Sequence, residues 1–378
     1  MNTETRDLPY WIAFSRVPSI GRVRIGLLEE RFGSLAAAWQ AAAGELRACG
    51  LDKSAANAVV EARAKLDPDA EYERVVQAGL TVLTWHNAAY PRGLREIDDL
   101  PPIIYIKGEL SREDDRGITV VGTRNPTAYG REVARHLATD LAKAGVTVVS
   151  GLARGIDGIA HRAALEAGGR TLAVMGSGAD IIYPAEHTAL ARDIARNGAL
   201  LTEYPLRTKP EARHFPRRNR LLSGLSLGTL VVEAAEGSGT LSTVTFAAEQ
   251  GREVFCVPGS IYSPASRLTN RLLQEGAKLV MDVEDILEEL NLSSLTSAQA
   301  GLPGIFEAES DEEAKLFDAL ELEPQHVDEI SRRAGLPVTV VIGTLAVMEL
   351  KGHVRQVGRM NYIRAREAAA AYRVKTAR

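Results

Sequence analysis

Cysteine is nearly absent from this chain: two thiols, Cys49 and Cys256, serve 378 residues. One disulfide is arithmetically available, but two reduced, buried thiols are the expectation. The seven histidines never fall into HxxxH or HxE spacing, and no CxxC occurs. That excludes the usual zinc frameworks, so neither a metal nor a cofactor is expected. No GxxxxGK[ST] is present, which excludes a P-loop, and no GxGxxG follows the first strand, which excludes the dinucleotide fingerprint. No apolar run approaches the ~20 residues of a membrane-spanning helix. The opening MNTETRDLPYW lacks the basic-then-apolar pattern of a secretory leader. A cytoplasmic protein with no membrane partner is expected.

What is present is ordinary in bulk and uneven in detail. Hydrophobic residues make up 45% and charged residues 25%, as in globular proteins, and the length suits two or three domains. The net charge of −4 conceals three patches. Val283 to Ile330 holds fourteen Asp/Glu against one Lys, a net −13. Ser331 to Arg378 carries a net +8, and Pro205 to Val231 a net +5. In the last of these Arg213, Arg217, Arg218 and Arg220 fall within eight residues, and no acidic residue follows until Glu233. Local charge of this kind speaks about partners where the total does not.

Three domains are expected. Residues 1–80 read as all-helical: a helix near Leu8 to Ser15, the VPSIG turn, then further helices, with Ser54 a candidate cap for the last. The pattern resembles tandem helix-hairpin-helix (SAM-like) units, with Ser19 in the place of the usual first glycine and Gly21 retained. Residues 81–290 hold a proline-punctuated connector with a strand at Ile103 to Lys107, and then short apolar runs alternating with amphipathic helices. That alternation predicts an α/β domain: an extended, Rossmann-like, doubly wound parallel sheet covered on both faces. Residues 291–304 read as a Ser/Ala/Gly linker, and residues 305–378 as helix, helix, turn, helix and a two-stranded ribbon, the order of a winged helix.

In such a sheet, ligands sit at the carboxyl ends of the strands. Four strand ends carry glycine-rich punctuation: GTRNPTAYG (122–130), SGLARGIDGIAH (150–161), GSGADIIYP (176–184) and EAAEGSGTLST (233–243). Glycines let backbone N–H groups approach a phosphate, helix starts add partial positive charge, and Arg124 and Arg154 add full charges. The four loops and the arginine cluster together predict an anion site. Phe215 is placed to stack on a base while the arginines grip phosphates, the recipe for a single-stranded nucleic acid. Asn219 and one arginine are expected to be structural. Asp157 and His161 lie four apart on a helix, a spacing more often structural than catalytic.

The ordered motifs SGLARGIDGIAH, GSGADIIYP, FPRRNRLLSGLS, VVEAAEGSGTLST and QGREVFCVPG, preceded by AYPRGLREIDDLPPIIYIKG, resemble the DNA-processing protein A (DprA/Smf) family over nearly the whole chain. The resemblance implies a protein without catalytic activity. It implies binding and protection of incoming single-stranded DNA and help in loading the RecA recombinase during natural transformation and DNA recombination in competence. It implies a homodimer through the Rossmann-like domain. Carried over by motif, the nucleic-acid-binding residues are Gly122, Thr123, Arg124, Gly151, Arg154, Gly155, Arg213, Phe215, Arg217, Arg218, Asn219, Arg220, Ser238, Gly239 and Thr240. The chain departs from the family at Ala212, where lysine is frequent, at His187, where asparagine is frequent, and at Leu268, where a glycine is usual.

Two other readings exist. EGSGTLST resembles part of the PGGxGTxxE motif of lysine-decarboxylase-like phosphoribohydrolases, but Thr243 stands in the place of the glutamate. A nucleotide-sensing module with the winged helix as its output is the third. The third winged-domain helix, PVTVVIGTLAVMEL, has no Arg, Lys, Asn or Gln. A helix that reads base edges needs such side chains, so this one is expected to be buried or to face a protein. Arg355, Arg359, Arg364 and Arg366 of the ribbon and tail are candidates for phosphate contact.

Overall fold

The computed structural model describes residues 3–292, 306–308, 310–321, 325–350, 353–356, 360–364 and 372–374. The linker beyond Leu292, and with it Arg359 and Arg366, lies outside the described residues. The chain clusters into two compact units, Met1–Leu292 and Ser293–Arg378.

The first unit begins with six helices: α1 (Thr3–Ser15), α2 (Arg22–Phe32), α3 (Leu35–Gln40), α4 (Ala43–Ala48), α5 (Lys53–Arg63) and α6 (Pro68–Gln77). Ser19 takes a left-handed φ of +71°, the conformation that the usual glycine supplies without strain. The cap of α5 is Asp52, which accepts from Ala55 N–H at 2.8 Å, rather than Ser54, which lies inside the helix. Trp11, Phe14, Leu28, Leu35 and Trp39 form a core that also takes in Ile103, Tyr105 and Leu206 from the sheet region. The helices are thus packed onto the sheet.

Nine strands form one sheet: β1 (Thr81–Thr84), β2 (Ile103–Gly108), β3 (Gly117–Val121), β4 (Thr147–Ser150), β5 (Thr171–Val174), β6 (Gly198–Thr202), β7 (Gly228–Val231), β8 (Glu253–Cys256) and β9 (Lys278–Leu279). Their order is β1-β2-β6-β5-β4-β3-β7-β8-β9. The run from β6 to β9 is parallel, and β2 and β1 add an antiparallel edge. β1 has no counterpart among the strands that the sequence predicts. The crossovers are α8 (Ala128–Lys143), α9 (Ile156–Glu166), α10 (Thr188–Asn197), α11 (His214–Gly224), α12 (Thr240–Glu249) and α13 (Arg267–Gln274), with α7 (Arg92–Arg95) ahead of them and α14 (Val283–Glu289) behind. Alternating side chains bury both faces. β5 sends Leu172 and Val174 into the core shared with Leu221 and Leu222 of α11, and Ala173 into the core shared with Leu190 and Ile194 of α10. The chain winds from β3 to β6 in one direction, then returns through α11 to β7 on the other flank of β3. The switch point therefore falls between β3 and β7, where α/β sheets open a crevice at their carboxyl ends.

Leu268, in the place of the family's glycine, lies on α13, fully buried, with its N–H bonded to the Ala234 carbonyl at 3.0 Å. No positive φ is needed there. Cys256 is buried and Cys49 half-buried, and both are free thiols.

The second unit contains α15 (Asp311–Ala319), α16 (Val327–Ala334) and α17 (Val338–Leu350), with a three-stranded antiparallel sheet of Gln325–His326, Asn361–Arg364 and Val354–Gln356. This is a winged helix. Helix α17 buries Val341, Leu345 and Met348 and exposes Val338, Val340, Ile342 and Val347. Arg364 is turned inward, its guanidinium 4.3 Å over the Phe317 ring. Among the described residues no single helix is long and apolar enough to cross a membrane.

Candidate nucleic-acid interface

The loops after β3, β4, β5 and β7 meet at the carboxyl edge. Thr123 N–H donates to the Glu233 carbonyl at 2.6 Å, and Ile156 N–H donates to the Thr123 carbonyl at 3.2 Å. Gly155 has φ +75°, and a Cβ there would collide with the backbone of Thr123 and Arg124. Only glycine lets the second loop close against the first. Glu233, at the end of β7, is occupied: its carboxylate accepts from Thr127 N–H at 2.9 Å and from the Thr127 hydroxyl at 2.6 Å, fixing the start of α8.

Helix α11 divides its arginines between inside and outside. Arg218 is buried beneath the β4 loop, donating to the carbonyls of Gly151 (2.8 Å) and Val174. Burial lowers its pKa to about 10, with the Asp157 carboxylate opposing the shift. Arg220 is buried too. It forms a two-pronged pair with Glu203 (2.8 and 2.8 Å) and reaches Asp99 at 3.0 Å. Burial works against its charge, but these carboxylates outweigh burial and its pKa is raised. Asn219 anchors the β7 loop through Ser242 (2.8 Å) and the Gly239 carbonyl (3.5 Å). Within that loop the Ser238 hydroxyl donates to the Thr240 hydroxyl at 2.9 Å. Two arginines, not one, are therefore directed inward. Arg213 and Arg217 are exposed, paired with Glu211 at 2.8 Å and Glu203 at 3.6 Å.

Phe215 is half-buried against Gly176, where a Cβ would crowd its ring. The guanidinium carbons of Arg124 and Arg218 each lie 6.0 Å from its centroid, and the Tyr183 ring lies at 5.6 Å. Arg124 is exposed and forms no ion pair among the described residues. Arg154 is exposed but held by Glu186 in two bonds of 2.8 Å. The structure thus gathers Gly122, Thr123, Arg124, Gly151, Gly155, Phe215 and Arg218 at one place and joins Ser238, Gly239 and Thr240 to it through Asn219. Tyr183 was missed as a site candidate, although its motif was visible; an aromatic beside the GSG turn was the available signal.

Asp157 and His161 do not pair. Asp157 accepts from the N–H groups of Gly151 (3.1 Å) and Ala153 (3.3 Å), and burial raises its pKa. His161 is bonded through Nδ1 to the Thr171 hydroxyl at 2.6 Å, and burial, reinforced by His187, lowers its pKa to about 3. Both side chains brace the loop and α9. Thr243, at the hydrolase-glutamate position, is buried.

A doubly wound parallel sheet whose glycine loops, exposed arginine and half-open aromatic gather at its carboxyl edge defines a Rossmann-like protein. Residues 81–291 match the model of the DNA recombination-mediator protein A family, and residues 303–358 match the DprA winged helix domain. The chain belongs to this DprA/Smf family. It is 34% identical over 392 residues to Protein Smf of Synechocystis, covering 94% of this chain and 98% of that protein. The structure of DNA processing protein A from Streptococcus pneumoniae superposes with a TM-score of 0.66 at 33% identity, covering 74% of this chain and 97% of that one. The Helicobacter pylori DNA processing protein A structure, described for its unique single-stranded DNA binding mode, gives 0.51 at 29% identity, covering 57% and 96%.

Proposed function

We propose that the chain binds single-stranded DNA along the carboxyl edge of the sheet, and that it acts by binding and not by catalysis. The observation that carries this is Phe215: a half-open ring, flanked by the free guanidinium of Arg124, set over glycine loops that let a phosphate approach the backbone. A stacking surface with adjacent cations is how proteins hold unpaired bases without reading sequence. The Helicobacter pylori relative, described as a single-stranded DNA binder, supports the same reading. In this reading the protein protects incoming strands and helps load RecA during natural transformation. It works as a homodimer, for which the sheet edge at β9, with Leu279 and Met281 exposed, is the candidate contact.

The test is fluorescence anisotropy of labelled oligothymidine and its duplex counterpart over a salt series. A single-strand preference with a steep salt slope is expected. Equal or absent binding would overturn the reading and direct attention to a small nucleotide. Size-exclusion chromatography with light scattering of a Met281→Asp variant checks the dimer, and recovery of RecA on strands precoated with a single-strand-binding protein checks the loading step.

A further inference from the structure

The edge that carries Phe215 and Arg124 continues past β7 to the end of β8, where the fold displays side chains that its packing does not use. Residues 257–266 form a loop between β8 and α13. Asn270 braces it: Gly259 N–H donates to Asn270 Oδ1 at 3.1 Å, and Asn270 Nδ2 donates to the Gly259 carbonyl at 3.0 Å. Ser263 N–H closes a turn onto the Ser260 carbonyl at 3.0 Å, and Tyr262 N–H donates to Ser260 Oγ at 3.3 Å. The two central positions of that turn are Ile261, 78% exposed, and Tyr262, 89% exposed. Such positions ordinarily go to proline, glycine or small polar residues. A β-branched residue and an aromatic held out on a braced turn contribute nothing to the core, and exposed apolar groups of this size mark contact sites.

Tyr129, 48% exposed in the first turn of α8, donates its hydroxyl to the Pro258 carbonyl at 2.8 Å. This bond ties the β8 loop to the segment that carries Arg124. Arg131 on α8 and Arg267 at the start of α13 are exposed, and neither forms an ion pair among the described residues. The neighbouring Glu236 faces Arg271 at 4.0 Å.

We infer that Tyr262, with Ile261 and Tyr129, forms a second base-stacking platform on the same edge, with Arg131 and Arg267 placed for the flanking phosphates. The inference rests on the single-strand reading above and extends it. From Phe215, beside the end of β5, to Tyr262, beyond the end of β8, the path crosses the ends of β4, β3 and β7. That is four strand spacings, roughly 19 Å. A short oligonucleotide reaches one platform, and a longer one reaches both.

The experiment is competition binding of the full chain with oligothymidines of about four and about twelve nucleotides. Tyr262→Ala is expected to weaken binding of the longer strand about fivefold or more while leaving the shorter one and the salt slope unchanged. Tyr262→Trp is expected to restore the lost affinity, which a merely structural role would not predict. Equal affinity of Tyr262→Ala and wild type for the longer strand, with single-strand preference intact, overturns the platform and leaves the reading standing. Wild type that binds no single strand overturns both. A variant that changes mass by light scattering with unchanged DNA binding overturns the inference by assigning Tyr262 to a second copy of the chain.

Discussion

Helix α11 and the loop after β3 both bring arginine to the carboxyl edge, and they use it in opposite ways. Arg218 and Arg220 are turned inward, where backbone carbonyls and the Glu203 carboxylate occupy their donors. Arg124 is exposed beside Phe215 and forms no ion pair among the described residues. Half of the dense cluster is scaffold, and Arg124, which stands apart from it, is exposed without an ion pair among the described residues. Buried guanidinium groups must be paired and hydrogen-bonded. A run of arginines on one helix, whose faces look in and out, therefore cannot all serve a ligand.

The contrast can be broken in graded steps. Arg220→Ala leaves Glu203 buried without its main partner, and a loss of about 3–5 kcal/mol in denaturant unfolding is expected. Arg217, 3.6 Å from Glu203, softens the loss toward the lower figure. Arg218→Met strands the Gly151 and Val174 carbonyls, and about 1–3 kcal/mol of stability is expected to go in the same measurement. A melting curve matching wild type for either variant would refute the scaffold role. Phe215→Ala is expected to cost about 1–3 kcal/mol of oligothymidine affinity in anisotropy titrations, with the salt slope unchanged. Arg124→Ala is expected to leave unfolding within about 0.5 kcal/mol of wild type, the range for most surface substitutions.

Much of the architecture was legible because it is periodic. Short apolar runs separated by amphipathic helices can be satisfied only by a sheet buried on both faces, and the glycine loops had to gather at one edge. β1 escaped because TVLT is a four-residue segment with no alternation long enough to signal a strand. The sequence reading offers Ser54 as the cap and the structure uses Asp52; both types cap well, and local sequence does not rank them. The candidate site was legible as a set of loops but not in its orientations. Glu203 and Asp99 lie 17 and 121 residues from Arg220, so no local spacing announces that pair. Arg124 reads as one arginine among many until its neighbours are in place.

The central claim is most directly tested by the salt dependence of oligothymidine affinity, measured side by side in wild type, Arg124→Ala and Arg220→Lys. The log–log slope is expected to become shallower by roughly 0.7 in Arg124→Ala, the loss of one phosphate contact, and to run parallel to wild type in Arg220→Lys. A parallel line for Arg124→Ala with a shallower one for Arg220→Lys would contradict the account.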